Sequence, residues 1–255
     1  GSGMRWAEGP AYFPDTGTLI LSDIPNNRLM KYEEKTGRFS VHKEGVNYAN
    51  GNTCDCQGRL ISCEHSVTRR VVRTEKNGQI TVLADRFEGK RLNAPNDVVV
   101  KSDDSIWFTD PLFGINGEWE GSRATPEQAT TNVYRIGRDG QITAVITDLV
   151  NPNGLAFSPD EKKLYVVEWK GTPHRSVWSF DVSADGHTLS NKTKLIDAAG
   201  PGALDGFRVD RDGNLWLGSL TDGVTRLWDG WTTRLGRAHG LRNPLLWSIA
   251  AGPRG

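Results

Sequence analysis

Residues 153–166 read NGLAFSPDEKKLYV and contain, in order, an oxygen-bearing side chain before a glycine, a short apolar alternation, a polar turn and a second apolar run. Two alternating runs around a Pro-Asp turn predict a β-hairpin. The same order of features occurs five times along the chain. The opening pairs are Glu8-Gly9, Asn50-Gly51, Asn96-Asp97, Asn153-Gly154 and Asp205-Gly206.

The repeat has the length of a propeller blade. Its opening residues lie 42, 46, 57 and 52 positions apart. Two further strand-like runs follow the hairpin in each of the first four repeats, for example Arg70–Thr74 and Ile80–Leu83. Four short strands repeated at this period are typical of β-propellers. We therefore predict an all-β fold, a six-bladed β-propeller of four-stranded antiparallel blades, in a single domain spanning residues 1–255.

The two ends of the chain fit this pattern less well. After Gly223 the repeat is no longer legible, so residues 224–255 match a last blade poorly and predict one that is incomplete or divergent. Five legible repeats allow either five blades or six with one incomplete. Gly1-Ser2-Gly3 is typical of a cloning scar, so the sequence is compatible with a leader that has been removed.

Composition argues against two classes of partner. The chain has 31 basic and 31 acidic residues, with no basic stripe, so neither nucleic acid nor a membrane surface is an expected partner. No apolar run approaches the roughly 20 residues that span a bilayer. Cys54, Cys56 and Cys63 are interpreted as ordinary strand residues. Three clustered cysteines form no disulfide framework, which favours a reducing, cytoplasmic location.

One of the intervals between the opening residues of the repeats is longer than the others. Between Asn96 and Asn153 lies a segment, residues 113–131, that is rich in Gly, Glu, Ser and Thr. Long insertions in compact folds are often functional loops. If this segment lies on the face that carries the opening residues, it is predicted to cover a pocket there.

The opening residues suit a metal ion. Glu8 and Asp205 provide carboxylates, and Asn96 and Asn153 provide amide oxygens; Asn50 or Asn52 is a candidate for a further ligand. An all-oxygen set suits one hard divalent cation, with Ca²⁺ expected first and Mg²⁺, Mn²⁺, Zn²⁺ or Fe²⁺ as alternatives. Asn and Asp before glycine are also common turn residues. Their recurrence at one register favours a shared site, because equivalent positions on successive blades surround one axis.

Several phrases resemble those of the gluconolactonase and regucalcin family. They are Arg5–Pro10, Ser22–Ile24, Asn47–Thr53, Cys63–His65, Pro95–Val98, Trp107–Pro111, Asn153–Asp160 and Leu204–Phe207. The resemblance implies a six-bladed propeller that hydrolyses sugar lactones with one divalent metal. By similarity Glu8, Asn153 and Asp205 match metal ligands, Asn96 faces both metal and substrate, and Asp205 also serves as acid/base.

A hydroxyl-rich substrate requires polar groups around the metal. The candidates are Asn96, Asn52, Glu64, His65 and Asp110. Each of the last four is equally explained as a strand-end residue that satisfies backbone groups. His65 has no partner serine in a Gly-x-Ser-x-Gly motif, so serine-hydrolase chemistry is not expected.

The leading functional hypothesis is a lactonase that opens a sugar (aldono-) lactone such as gluconolactone to the aldonic acid. Two alternatives keep the same fold. The first is a phosphotriesterase-like hydrolase, in which the metal would polarise P=O instead of C=O. The second is a non-catalytic calcium-binding propeller, since a fold does not establish an activity.

Overall fold

The computed structural model describes residues 3–171, 175–198, 204–219, 223–228 and 231–240. The chain divides into two compact units, Gly1–Asp148 and Leu149–Gly255. Both consist of four-stranded antiparallel sheets in which neighbouring strands follow one another in the chain. Within the described ranges, no helix is both long and apolar enough to cross a membrane.

The first unit contains three four-stranded blades and one short hairpin. The order of strands in each blade is the order in the sequence. The strands are β1 Ala7–Phe13, β2 Thr18–Asp23, β3 Arg28–Glu33, β4 Arg38–Glu44, β5 Ala49–Cys54, β6 Leu60–Glu64, β7 Arg70–Thr74, β8 Ile80–Ala84, β9 Arg86–Phe87, β10 Lys90–Arg91, β11 Val98–Val100, β12 Ile106–Asp110, β13 Asn132–Ile136 and β14 Ile142–Ile146. A short helix, α1 Phe113–Asn116, follows β12, and a 3₁₀ helix spans Ile24–Asn26.

The second unit contains two further blades. Its strands are β15 Pro152–Phe157, β16 Lys163–Glu168, β17 Arg175–Val182, β18 Leu189–Ala198, β19 Leu204–Val209, β20 Leu215–Ser219, β21 Gly223–Trp228 and β22 Trp231–Leu235. A 3₁₀ helix, Arg237–His239, ends the described part. The four strands predicted in each of the first four repeats are therefore confirmed.

The last described blade corrects one expectation. β21 and β22 complete the fifth blade within 223–235, a stretch in which the sequence showed no strand period. Five four-stranded blades lie in the described ranges. Of residues 224–255, which were predicted to form the last blade, 241–255 lie outside the described ranges, as do Gly1 and Ser2 of the predicted cloning scar.

The hydrophobic cores lie between consecutive blades of each unit. In the first unit one core joins Ala11 and Ile20 to Ala49, and another joins Ile61 and Cys63 to the third blade. Cys63 is thus an ordinary core residue, as predicted. In the second unit Val167 packs with Phe207 and Leu217. Burial of such side chains contributes about 1.5–3 kcal/mol each.

The strands differ in exposure across a blade. All seven residues of β4 are exposed, and most of β18 is exposed, whereas β5 and β15 are largely buried. The first strand of each blade is therefore placed where two blades pack. The oxygen-bearing residues that open the repeats lie on the first strands β1, β5, β15 and β19 or, for Asn96, two residues before β11.

Candidate functional site

The first strand carries one extra residue in four of the five blades. In β5 the pairing passes from Ala49↔Glu64 to Asn52↔Ser62, so three steps in β5 oppose two in β6. The same shift occurs in β1, β15 and β19. Such β-bulges re-aim side chains and are frequent beside active sites. The residues at these bulges are Glu8, Asn50, Asn153 and Asp205.

The glycine at each bulge permits close packing between first strands. A Cβ on Gly9, whose φ is +52°, would lie 2.2 Å from the Asn50 carbonyl oxygen. A Cβ on Gly51 would lie 2.4 Å from the Asn96 carbonyl oxygen, which accepts a hydrogen bond from the Gly51 N–H. In the second unit, a Cβ on Gly154 would lie 2.6 Å from the Asp205 carbonyl oxygen.

These contacts place the predicted metal ligands in two sets. Glu8 on β1 and Asn96, two residues before β11, belong to the first unit, where β1 and β11 both pack against β5. Asn153 and Asp205 belong to adjacent strands of the second unit. Glu8 is buried and accepts hydrogen bonds from Trp6 Nε1 and the Gly9 N–H, both at 3.3 Å. Asp205 is half-buried.

Three asparagines have the side-chain environment of ligand groups. Asn50, Asn96 and Asn153 are 7%, 5% and 6% exposed. No hydrogen bond connects their side-chain amides to another residue that the structure describes. Their amide atoms are not among the fully buried polar atoms that lack a partner, so these three amides are accessible and available to a ligand.

Asn52 has the opposite environment. Its Nδ2 donates to the carbonyl oxygens of Gly9 and Asn50 and to Ser22 Oγ, and its Oδ1 accepts from Ser62 Oγ. Both the donor and the acceptor end of this amide are engaged inside the protein. The geometry therefore speaks against Asn52 as a substrate contact and makes Asn50 the better candidate for a further metal ligand.

Glu64 and His65 are also held by the protein. Glu64 is buried and accepts hydrogen bonds from Thr68 Oγ1 and from the Arg70 guanidinium. His65 is fully buried, with Nδ1 3.2 Å from the Pro95 carbonyl oxygen and Nε2 2.9 Å from Glu120 Oε2. Neither side chain is oriented to bind a sugar directly. Glu120 was not singled out in the sequence, where nothing pairs it with His65.

Asp110 is a fully buried carboxylate at the end of β12. Its Oδ2 accepts a hydrogen bond from the Asn93 N–H and its Oδ1 from the Ala94 N–H, each at 2.8 Å. Burial raises the pKa of Asp110 to about 7, although these two N–H groups and the Arg69 charge act in the opposite direction. Asp110 thus orders the segment before Asn96, which argues against direct contact with substrate.

The raised pKa of Asp110 gives a prediction for stability. Between about pH 4 and pH 7 the folded protein keeps a proton that the unfolded chain releases, so the free energy of unfolding falls as pH rises through this window. The free energy of unfolding of wild type, relative to that of Asp110→Asn, should fall by up to about 1.4 kcal/mol per pH unit in this window. Urea unfolding at pH 5, 6, 7 and 8 measures this, with Asp85→Asn, at an exposed position, as the control. Parallel curves for wild type and Asp110→Asn would contradict the assignment.

The chemistry of the predicted ligand residues indicates which kind of metal ion they suit. In the ranges that the structure describes, no three His, Cys, Asp or Glu side chains cluster as a metal site. The predicted set has a different composition, with two carboxylates and two amides. Oxygen donors of this kind fit a hard divalent cation, and two carboxylates balance its charge.

The repeated four-stranded antiparallel blades define an all-β propeller. Residues 6–235 match the family described as SMP-30/Gluconolactonase/LRE-like region, and the chain belongs to this family. A gluconolactonase of Zymomonas mobilis is 29% identical over 235 residues, covering 84% of this chain and 65% of the relative. The chain thus spans less than two thirds of that relative's length.

Two further relatives support the same assignment. A pentonolactonase of Haloferax volcanii is 26% identical over 235 residues, covering 91% of this chain and 73% of the relative. A solved structure of a gluconolactonase from Xanthomonas campestris has 36% sequence identity and a TM-score of 0.82. That match covers 91% of this chain and 76% of the other.

Proposed function

We propose that this protein is a metal-dependent lactonase that hydrolyses a sugar lactone to the corresponding aldonic acid. The observation that carries the proposal is the bulge that recurs at Glu8, Asn50, Asn153 and Asp205. Four blades place an oxygen-bearing side chain at the same irregularity, and Asn96 opens the third repeat, whose β11–β12 pair is regular. The gluconolactonase and pentonolactonase relatives support the substrate class.

The proposed site holds one divalent cation, with Ca²⁺ first and Mg²⁺, Mn²⁺, Zn²⁺ or Fe²⁺ as alternatives. Its ligands are Glu8, Asn96, Asn153 and Asp205. The support is their common position in the repeat together with the unpartnered amides of Asn96 and Asn153. A cation bound there would polarise the lactone carbonyl and stabilise the negative charge that develops on its oxygen.

Asp205 and Asn96 have separate roles in the proposed reaction. Asp205 takes a proton from the attacking water as the new C–O bond forms, and delivers it to the ring oxygen as the ring C–O bond breaks. Asn96 would help to hold the cation through its amide oxygen and the substrate through its N–H groups. Asp205 and Asn96 thereby hold the attacking water and the lactone in one orientation, which lowers the entropic part of the activation barrier.

The proposal is tested with metal-stripped protein and glucono-, xylono- and galactonolactone, followed by proton release. Adding back one of the five cations is expected to raise turnover at least about a hundredfold. Turnover of a phosphotriester and of none of the lactones would support the phosphotriesterase alternative. A folded, metal-loaded protein without turnover in either assay would support the non-catalytic calcium-binding alternative.

We also propose the cytoplasm as its location. Cys54, Cys56 and Cys63 are all free thiols, which is the usual state in a reducing compartment.

A further inference from the structure

The long segment between β12 and β13 is fastened to the loop that follows β6. We call residues 113–131 the insertion. A Cβ on Gly114 would lie 2.4 Å from the His65 carbonyl oxygen and 2.6 Å from the imidazole ring, and a Cβ on Gly121 would lie 2.1 Å from Ser66 Cβ. The Ser122 N–H donates to Ser66 Oγ at 2.9 Å. Glycine is therefore needed at two points for the insertion to reach this loop.

A second attachment lies against the β9–β10 hairpin. Gln128 Nε2 donates to the carbonyl oxygens of Phe87, Lys90 and Arg91 at 3.0–3.2 Å. The Arg91 N–H donates to Glu127 Oε2 at 2.9 Å. The insertion is therefore attached to the first unit at two separate places.

His65 connects the insertion to the segment that carries Asn96. A carbonyl oxygen only accepts hydrogen bonds, so the contact with Pro95 requires a hydrogen on Nδ1. On the other side of the ring, Nε2 lies 2.9 Å from Glu120 Oε2, within hydrogen-bond distance. The ring thus bridges Pro95, directly before Asn96, and Glu120 on the insertion.

The two ends of this bridge differ in exposure. The His65 side chain is 0% exposed and that of Glu120 is 21% exposed. The His65 side chain is therefore closed off from solvent, and its polar contacts are the two hydrogen bonds to Pro95 and Glu120.

We propose that His65 is a positioning residue that fixes Asn96 and the insertion relative to one another. This inference rests on the proposed lactonase function for its kinetic consequence. The structural coupling that it describes between residues 93–96 and 113–131 does not depend on that function. Loss of either hydrogen bond removes this link between the Asn96 segment and the insertion, while the bonds from the Asn93 and Ala94 N–H groups to Asp110 remain. Small misplacements of a group that orients substrate are costly to turnover.

The chain offers variants that separate the two bonds. His65→Asn keeps a donor near the Nδ1 position and loses the bond to Glu120. Glu120→Ala removes the same bond from the other side, and Glu120→Gln restores an acceptor without charge. Glu118→Ala, exposed on the same insertion, is the matched control.

Kinetics and hydrogen exchange together decide the proposal. His65→Asn and Glu120→Ala are each expected to lower kcat about tenfold with a smaller change in KM. The double variant should be no worse than either single one, Glu120→Gln should recover part of the loss, and Glu118→Ala should match wild type. Amide exchange in residues 93–96 should rise in Glu120→Ala, although this side chain does not touch them.

Each contrary result has a distinct meaning. Exchange that rises only within 113–131, or variants that lose thermal stability while kcat and KM stay unchanged, would overturn the positioning role. A wild-type protein that hydrolyses no lactone would overturn the proposed function instead. In that case the exchange pattern alone decides whether His65 couples the two segments.

Discussion

Asp205→Asn is expected to abolish most lactone turnover, by about a hundredfold or more, while leaving the protein folded. Asparagine keeps the shape of the side chain and one oxygen ligand, but it has no charge and does not take a proton from water. Removal of a general base typically costs about 10²–10⁴-fold in rate. Because Asp205 is half-buried on β19 and does not belong to a core cluster, the fold should tolerate the change.

The measurement is kcat/KM at saturating metal, with metal affinity by calorimetry and thermal stability in parallel. Asp212→Asn, exposed in the turn after β19, is the matched control and should behave as wild type. Undiminished turnover in Asp205→Asn would remove this residue from the reaction. Lost turnover together with a collapsed fold would instead assign it a structural role.

Gly9→Ala is expected to lower the free energy of unfolding by about 3 kcal/mol or more. Two costs combine there. A left-handed φ of +52° costs an L-residue about 1–2 kcal/mol, and overpacking against backbone costs about 1–3 kcal/mol. The obstructing atoms belong to Asn50, Gly51 and Asn52, all backbone, so no flexible side chain can move away.

Alanine substitutions at two other glycines measure the steric cost and the backbone-strain cost separately. Gly51→Ala introduces the steric conflict, with Asn96 O at 2.4 Å, without a left-handed φ. Gly58→Ala introduces only the φ strain, because its φ is +71° and no atom lies within 4 Å of the new Cβ. Urea unfolding should rank the losses Gly9→Ala, then Gly51→Ala, then Gly58→Ala. Equal losses for Gly9→Ala and Gly58→Ala would show that blade packing is not tight at the bulge.

The strands of the first four blades follow from local sequence. Alternating side chains and polar turns act over a few residues, so β16 and the strands like it are visible without knowledge of their neighbours. β21 and β22 were missed because Thr225, Arg226 and the threonines of β22 break the alternation. β21 forms because β20 offers it an edge for pairing, and β22 forms on the edge of β21. Such edges exist only in the folded blade.

The candidate ligands were visible in the sequence as a recurring residue type, but their individual roles were not. In a regular strand Asn50 and Asn52 would point to the same face. The extra residue between Ala49 and Asn52 breaks this equivalence, so Asn52 is satisfied inside the protein and Asn50 is not.

The sequence alone thus determined the repeat, the strand order within a blade and the oxygen-bearing residues at one register, because each depends on neighbours within a few positions. Only the tertiary structure decided which strands carry a bulge and which amides stay unpartnered. It also paired His65 with Glu120, 55 residues away. Such choices depend on the register between strands and on contacts between distant segments, and no local pattern encodes either.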